Sequence, residues 1–346
     1  MNIKDTNIQE LEATIKKLAI KGKGILAADE SAATITKRLA AVNTESTEET
    51  RRAYRDLLIT APNLSNYIAG VILHEETLSQ KTLDGTLFPE KLKALGILPG
   101  IKVDKGLINL ANTADEQVTQ GLDGLNEKLI EYKAKGACFA KWRAVYAVSA
   151  NTPSMLAAKT NAEGLARYAA ICQANGIVPI VEPEILIDSD HTIERCAEVT
   201  ERVLHTVFNA LYRHKVKLEY IVLKPSMVIN GKKCSSKATT QQVAEATLSA
   251  LLRNVPAAVP TINFLSGGQT PEEATAHLNA MNASQLPWNL SYSYARALQE
   301  YPMKIWHGDK NNITAAQNAF LERTKLNSLA AVGKYTTSME KEVSIA

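Results

Sequence analysis

The sequence predicts an α/β protein, a single (β/α)8 or TIM barrel with an N-terminal helix ahead of the first strand and a mobile C-terminal tail. Three observations carry this. Eight short apolar segments alternate with longer stretches of helical spacing, several of those segments end in charged residues, and no linker divides the 346 residues. A barrel of this kind typically takes about 250 residues and often more.

The first four segments are GILAADE (24–30), YIAGVILHEE (67–76), GIKVDK (100–105) and ACFAKWRAVYAV (137–148). The other four are IVPIVEPEIL (177–186), EYIVLKPSMV (219–228), VPTINFLSG (259–267) and LPWNLSYSYA (286–295). Continuous apolar runs of this length suit strands buried on both faces, as in a parallel sheet. Helices are expected over Asp115–Lys135, Ser154–Asn175, Asp190–His214, Thr239–Asn254 and Pro271–Ser284. The last opens on Thr270-Pro271-Glu272-Glu273, a capping threonine, a proline in the first turn and acids at the positive end of the helix dipole. Eight strand-to-helix units favour closure over an open sheet, although periodicity alone does not prove it. After about Ser328 the pattern ends in a small, polar stretch, so the expected division is a barrel domain over 1–328 and a tail over 329–346.

Composition excludes several classes. At 45% hydrophobic and 22% charged, with a net charge of +3, the chain reads as globular, with no bulk attraction to nucleic acid. Cys138, Cys172, Cys196 and Cys234 show no C-x-x-C spacing, which fits a reducing compartment and neither a disulfide framework nor a thiolate metal site. No apolar run approaches a bilayer span, and MNIKDTNIQE lacks a signal-peptide core. A cytoplasmic location without membrane attachment is expected.

The informative charges lie inside the strands. Residues two apart share a strand face. Lys102 with Asp104, Lys141 with Arg143, Glu182 with Glu184, and Lys224 with Ser226 have this spacing, and Asp29 ends the first strand. In a barrel those ends converge where active sites are built. Four cations (Lys102, Lys141, Arg143, Lys224) then face four anions (Asp29, Asp104, Glu182, Glu184), the near-balance that a buried ionic cluster requires. A neutral lysine condenses with a ketone to an imine, and neighbouring carboxylates move the protons. Spacing leaves three lysines as candidates. The histidines are scattered, and His74-Glu75-Glu76 is read as polar rim, so no metal and no cofactor is expected.

Two groups suit phosphate. Ser266-Gly267-Gly268 precedes the capped helix, and Arg296 follows the eighth strand; glycine backbone N–H groups and a helix start both attract anions. Ser31, Thr34, Lys37 and Arg38 occupy the first turns of the helix after strand one. Together they suggest a substrate with a phosphate at each end.

GKGILAADES, GIKVDKG, AKWRAVY, IVPIVEPEIL, VLKPSMV, FLSGGQ and SYSYARALQ, in that order, resemble the class I fructose-bisphosphate aldolases of animals and plants over about residues 5–336. The resemblance implies reversible cleavage of D-fructose 1,6-bisphosphate without metal. It assigns the Schiff base to Lys224, acid–base catalysis at the carbinolamine to Glu182 with Glu184 in support, and proton abstraction from the C4 hydroxyl to Asp29. It gives Lys141 the charge of the intermediates and Arg143 substrate positioning. Ser266, Gly267, Gly268 and Arg296 fall to the C1 phosphate, Ser31, Thr34, Lys37, Arg38 and Lys102 to the other end, and Ser293 to substrate binding. A homotetramer, and association with cytoskeletal proteins, are also implied. Two departures stand out. Many members end in a tyrosine that helps protonate the enamine, whereas this chain ends Val343-Ser344-Ile345-Ala346 and its last tyrosine is Tyr335. The family's Ser-Tyr-Gly-Arg reads Ser293-Tyr294-Ala295-Arg296. The alternatives are the same chemistry on another phosphorylated ketose, such as sedoheptulose 1,7-bisphosphate or fructose 1-phosphate, or a non-catalytic scaffold that has retained the fold.

Overall fold

In the computed structural model of the chain, which describes residues 5–340, all eight expected strands form and close into a parallel barrel. In chain order they are β1 (Gly24–Ala28), β2 (Ile68–Leu73), β3 (Leu98–Lys102), β6 (Phe139–Tyr146), β7 (Val178–Ile185), β8 (Val222–Leu223), β9 (Thr261–Phe264) and β10 (Asn289–Tyr294). The remaining two, β4 (Leu107–Asn109) and β5 (Gln117–Thr119), form a separate antiparallel hairpin beside the barrel mouth. Around the circle each barrel strand pairs with its sequence neighbours, β10 returning to β1.

An N-terminal helix, α1 (Asp5–Leu18), precedes the barrel. Then come α2 (Ala32–Ala40), α3 (Glu48–Ile59), α4 (Glu75–Leu78), α5 (Phe88–Ala94), α6 (Leu125–Ala134), α7 (Met155–Ala174), α8 (Ile193–Arg213) and α9 (Thr240–Asn254). The last three are α10 (Pro271–Met281), α11 (Arg296–Trp306) and α12 (Ile313–Ala330). Thr270 caps α10 in the expected way, accepting from the Glu273 N–H while the Glu273 carboxylate accepts from the Thr270 N–H.

Alternation along the strands divides the core in two. Leu26, Ala28, Ala140, Val181 and Leu223 face outward into the shell between sheet and helices. Ile25, Ala27, Ile72, Phe139, Val178, Ile180 and Val222 face inward and meet Leu11, Ile15 and Leu18 of α1, which plugs the barrel's amino end. The inward face that begins at Phe139 continues through Lys141 and Arg143. From Val178 it continues through Ile180, Glu182 and Glu184, and from Val222 through Lys224 and Ser226. One row of positions is therefore apolar over the plug and ionic at the carboxyl ends. Gly100 makes room for this packing: a Cβ there would lie 2.2 Å from the Phe139 ring.

Two expectations meet a different structure. The helix expected over Asp115–Lys135 begins only at Leu125, because Gln117–Thr119 pairs as a strand of the hairpin. Gly121 and Gly124, both at positive φ, separate that strand from the helix. The expected boundary at residue 328 falls inside α12, and the chain beyond it packs against the barrel's helices. Tyr335 is buried, its N–H donates to Asn279 Oδ1 at 2.9 Å, and its hydroxyl donates to Glu340 Oε1 at 2.9 Å. The buried Arg323 pairs with the same Glu340 carboxylate. The terminal Val343-Ser344-Ile345-Ala346 lies outside the described residues.

Candidate active site

At the carboxyl ends of the strands a cleft of about 430 Å³ opens. Four alternating charges cross its floor. Asp29 Oδ2 lies 3.0 Å from Lys141 Nζ, Lys141 Nζ lies 3.1 Å from Glu182 Oε2, and Glu182 Oε1 lies 3.1 Å from Lys224 Nζ. Lys224 and Glu182 are each only 3% exposed, Lys141 5% and Asp29 7%. The backbone fixes these positions. Lys224 follows β8, and its N–H still donates to the Val181 carbonyl at 2.8 Å, extending the ladder by one residue. Arg143 and Glu182 are register partners across β6 and β7.

Burial alone raises the pKa of Asp29, but Lys141, Lys224 and Lys102 outweigh it and bring the carboxyl down to about 2. Burial opposes charge on Lys141 too, and Asp29, Glu182 and Asp104 overcome that and push its pKa up. Arg143 is likewise raised against burial by Glu184, with which it pairs directly. Glu182 Oε2 is buried and, although close to Lys141, lies out of line for a hydrogen bond. Asp104 Oδ2 and Ser293 Oγ are also buried without a hydrogen-bond partner, and all three residues line the cleft. Unsatisfied polar atoms at such a density mark a surface shaped for something polar.

The three strand lysines have different surroundings. Lys102 Nζ is held by Asp104 twice, at Oδ1 and at the backbone carbonyl, both at 2.7 Å. Lys141 bridges two carboxylates. Lys224 meets one carboxylate, which it shares with Lys141. A proton passed from Lys224 to Glu182 turns this ion pair into a neutral pair, whereas the same transfer from Lys141 leaves one of its two carboxylates uncompensated.

Of the residues expected to bind substrate or its phosphates, Ser31, Thr34, Arg38, Lys102, Arg143, Ser266, Gly267, Ser293 and Arg296 line the cleft with the catalytic candidates Asp29, Lys141, Glu182, Glu184 and Lys224. Gly267 and Gly268 both adopt positive φ, and among the described residues neither N–H meets a backbone acceptor. Arg296 is the first residue of α11. Ala295, glycine in the family motif, has φ −103°, so its side chain meets no left-handed strain. Ser31 caps α2 and lies 3.1 Å from the Thr34 hydroxyl. Arg38 Nη1 donates to Glu30 Oε1 at 2.5 Å.

Two expected residues sit apart. Lys37 is exposed and does not line the cleft, although it stands one helical turn beyond Thr34, which does. Gly268 faces an adjoining hollow with Lys232 and His277, although the Arg296 guanidinium lies close beside it. Reading the sequence also missed several lining groups. Glu30 should face away from Asp29 by alternation, but the β1 ladder ends at Ala28 and the chain is already bending into α2. Gly106 and Leu107 enter from the undetected hairpin. His74 caps α4, Glu76 pairs with Arg51 and Glu75 with Lys128, and no cluster of three or more metal-ligating side chains occurs among the described residues. Tyr335 does not line the cleft; burial, with Glu340 beside it, raises its hydroxyl pKa.

The family model for class I fructose-bisphosphate aldolase matches residues 10–345. Cytosolic fructose-bisphosphate aldolase 6 of Arabidopsis thaliana is 56% identical over 94% of this chain and 91% of its own length. A probable class 1 fructose-bisphosphate aldolase of Xanthomonas axonopodis is 52% identical over 95% and 99% respectively. Among solved structures, the fructose-bisphosphate aldolase of Plasmodium falciparum, crystallised in complex with TRAP and a small-molecule inhibitor, superposes with a TM-score of 0.95. It is 49% identical and covers 97% of this chain and 98% of its own. With the barrel closed, the paired lysines and carboxylates at its carboxyl end, and agreement along nearly the whole sequence, the chain belongs to the class I fructose-bisphosphate aldolases.

Proposed function

We propose that this aldolase cleaves D-fructose 1,6-bisphosphate reversibly, to dihydroxyacetone phosphate and D-glyceraldehyde 3-phosphate, through an imine on Lys224. The observation that carries the choice of lysine is its single, shared carboxylate partner. Lys224 gives a proton to Glu182, and the neutral amine attacks the C2 carbonyl. Glu182 returns that proton to the carbinolamine hydroxyl, which leaves as water and yields the protonated imine. Asp29, ionised at working pH, takes the C4 hydroxyl proton. The C3–C4 bonding electrons move to the imine nitrogen, glyceraldehyde 3-phosphate departs, and an enamine remains. Protonation at C3 and hydrolysis free the second product. Lys141 stays charged throughout and balances Asp29 and Glu182 as their protons move. Arg143, oriented by Glu184, positions substrate.

Ser266, Gly267, Gly268 and Arg296 are assigned to the C1 phosphate, Ser31, Thr34, Lys37, Arg38 and Lys102 to the distal one, and Ser293 to substrate binding. The free Gly267 and Gly268 N–H groups support the first set, and the cationic rim at Arg38 and Lys102 the second. Lys37, exposed one helical turn beyond Thr34, would reach the distal phosphate from the rim. A phosphorylated sugar is the only ligand this arrangement calls for. Relatives named cytosolic support a cytoplasmic location, and no described helix is long and apolar enough to cross a membrane. The family resemblance supports a homotetramer, whose mass in solution would be four times 37.7 kDa. A division into a barrel domain over 1–328 and a short following tail, and a cytoskeletal partner, remain proposals of the same kind, which limited proteolysis and cosedimentation with filaments test.

Kinetics of two variants test the roles. Lys224→Arg should abolish cleavage, and Glu182→Gln should slow it about 10²–10⁴-fold. Wild-type turnover in Lys224→Arg would end the assignment. If sedoheptulose 1,7-bisphosphate or fructose 1-phosphate turned over faster than fructose 1,6-bisphosphate, the substrate would be reassigned and the lysine kept.

A further inference from the structure

Asp29 lies just past the point where its strand loses a partner. The β1–β2 ladder ends at Ala28↔Leu73, and the next residue of the β2 chain, His74, turns away to cap α4. In an extended chain the carbonyls of residues i and i+2 point the same way. Beyond the ladder, the carbonyls of Ala28 and Glu30 need a donor, and Arg55 of α3 supplies it. Its Nε donates to the Ala28 carbonyl at 3.3 Å and its Nη2 to the Glu30 carbonyl at 3.1 Å, so one rigid fork spans Asp29 where the missing strand would run. The guanidinium is 1% exposed, and Nη2 lies 3.9 Å from the Glu30 carboxylate. From α11, Gln299 Nε2 donates to the Ala27 carbonyl at 2.6 Å. The other end of that amide, Oε1, is buried with no partner, so the side chain makes its hydrogen bond through the donor end only.

We propose that Arg55 and Gln299 are positioning residues for Asp29, a side-chain clamp that replaces the missing strand and aims the carboxylate at the substrate's C4 hydroxyl. The clamp rests on the reading of Asp29 as acceptor of that proton. Neither residue lines the cleft.

The test uses the full chain with Arg55→Lys and Gln299→Met, each alone and in an Asp29→Asn background. Borohydride trapping with dihydroxyacetone phosphate counts the sites that still form the imine, and cleavage is expressed per trapped site. Partly unfolded protein therefore lowers both counts and leaves their ratio unchanged. Arg55→Lys keeps the charge and loses the fork. Its kcat per trapped site should fall about tenfold or more, with KM within about threefold of wild type, since a misplacement near 1 Å can cost about 10²-fold. Gln299→Met removes the donor together with the orphaned oxygen and should cost about threefold, a step below the fork because it grips one carbonyl. In the Asp29→Asn background both effects should vanish. Should Arg55→Lys yield no folded protein, Gln299→Met decides alone. Wild-type turnover per trapped site in the variants, or losses undiminished in the Asp29→Asn background, would overturn the clamp. Wild-type turnover in Asp29→Asn itself would instead remove the role of Asp29, and the clamp with it.

Discussion

At the scale of single residues, the ionised state of Asp29 ties the site to the stability of the fold. Its carboxyl titrates at about 2 in the folded protein, against roughly 3.9 in an unfolded chain. A lowered folded pKa contributes stability that is fully present above the unfolded value and is lost as pH falls through the folded one. The contribution is about 2 kcal/mol near neutrality and should disappear between roughly pH 4 and pH 2. Urea unfolding at pH 5, 4, 3 and 2 should show this loss, and Asp29→Asn should flatten that part of the slope. An unchanged slope in the variant would mean that Lys141 does not hold Asp29 ionised. Sequence alternation found all four members of the charge row, because inward positions two apart carried them. It left three lysines equal, since the number of carboxylates around each depends on which strands are neighbours. Glu30 was missed because alternation stops where the ladder stops, and Arg55 because it lies on α3, where strand alternation says nothing.

The barrel strands were legible through their burial. Strands buried on both faces are continuous apolar runs, and all eight lie where those runs do. The hairpin of β4 and β5 was not legible. Its strands are three residues each, they pair with each other outside the barrel, and the helical spacing that follows drew the expected helix back across them. The inward face of β3 offers a sharp test of packing. Gly100→Ala would bring a methyl group to 2.2 Å from the Phe139 ring. Overpacking of this kind costs about 1–3 kcal/mol, and Phe139→Leu in the same chain should recover part of it. Thermal unfolding of the three proteins reads this. Gly100→Ala as stable as wild type would mean that the barrel floor is not tightly packed.

For the molecule as a whole, closure is what the sequence could not establish. Eight alternating units favour a barrel without proving it, and the β10–β1 pairing decides. Closure has chemical consequences. It brings Asp29, at the end of the first strand, against Lys141 of the fourth barrel strand, whose other partner Glu182 also meets Lys224, so that no charge on the floor stands alone. With α1 sealing the amino end by apolar contacts, the ionic layer is open only at the mouth. The account depends most on which lysine of that layer becomes covalent. Borohydride reduction of the protein with dihydroxyacetone phosphate, followed by digestion and peptide mapping, reads this directly. The predicted result is one stable adduct on Lys224, undiminished by a chelator; an adduct on Lys141 or Lys102, or none, would contradict it.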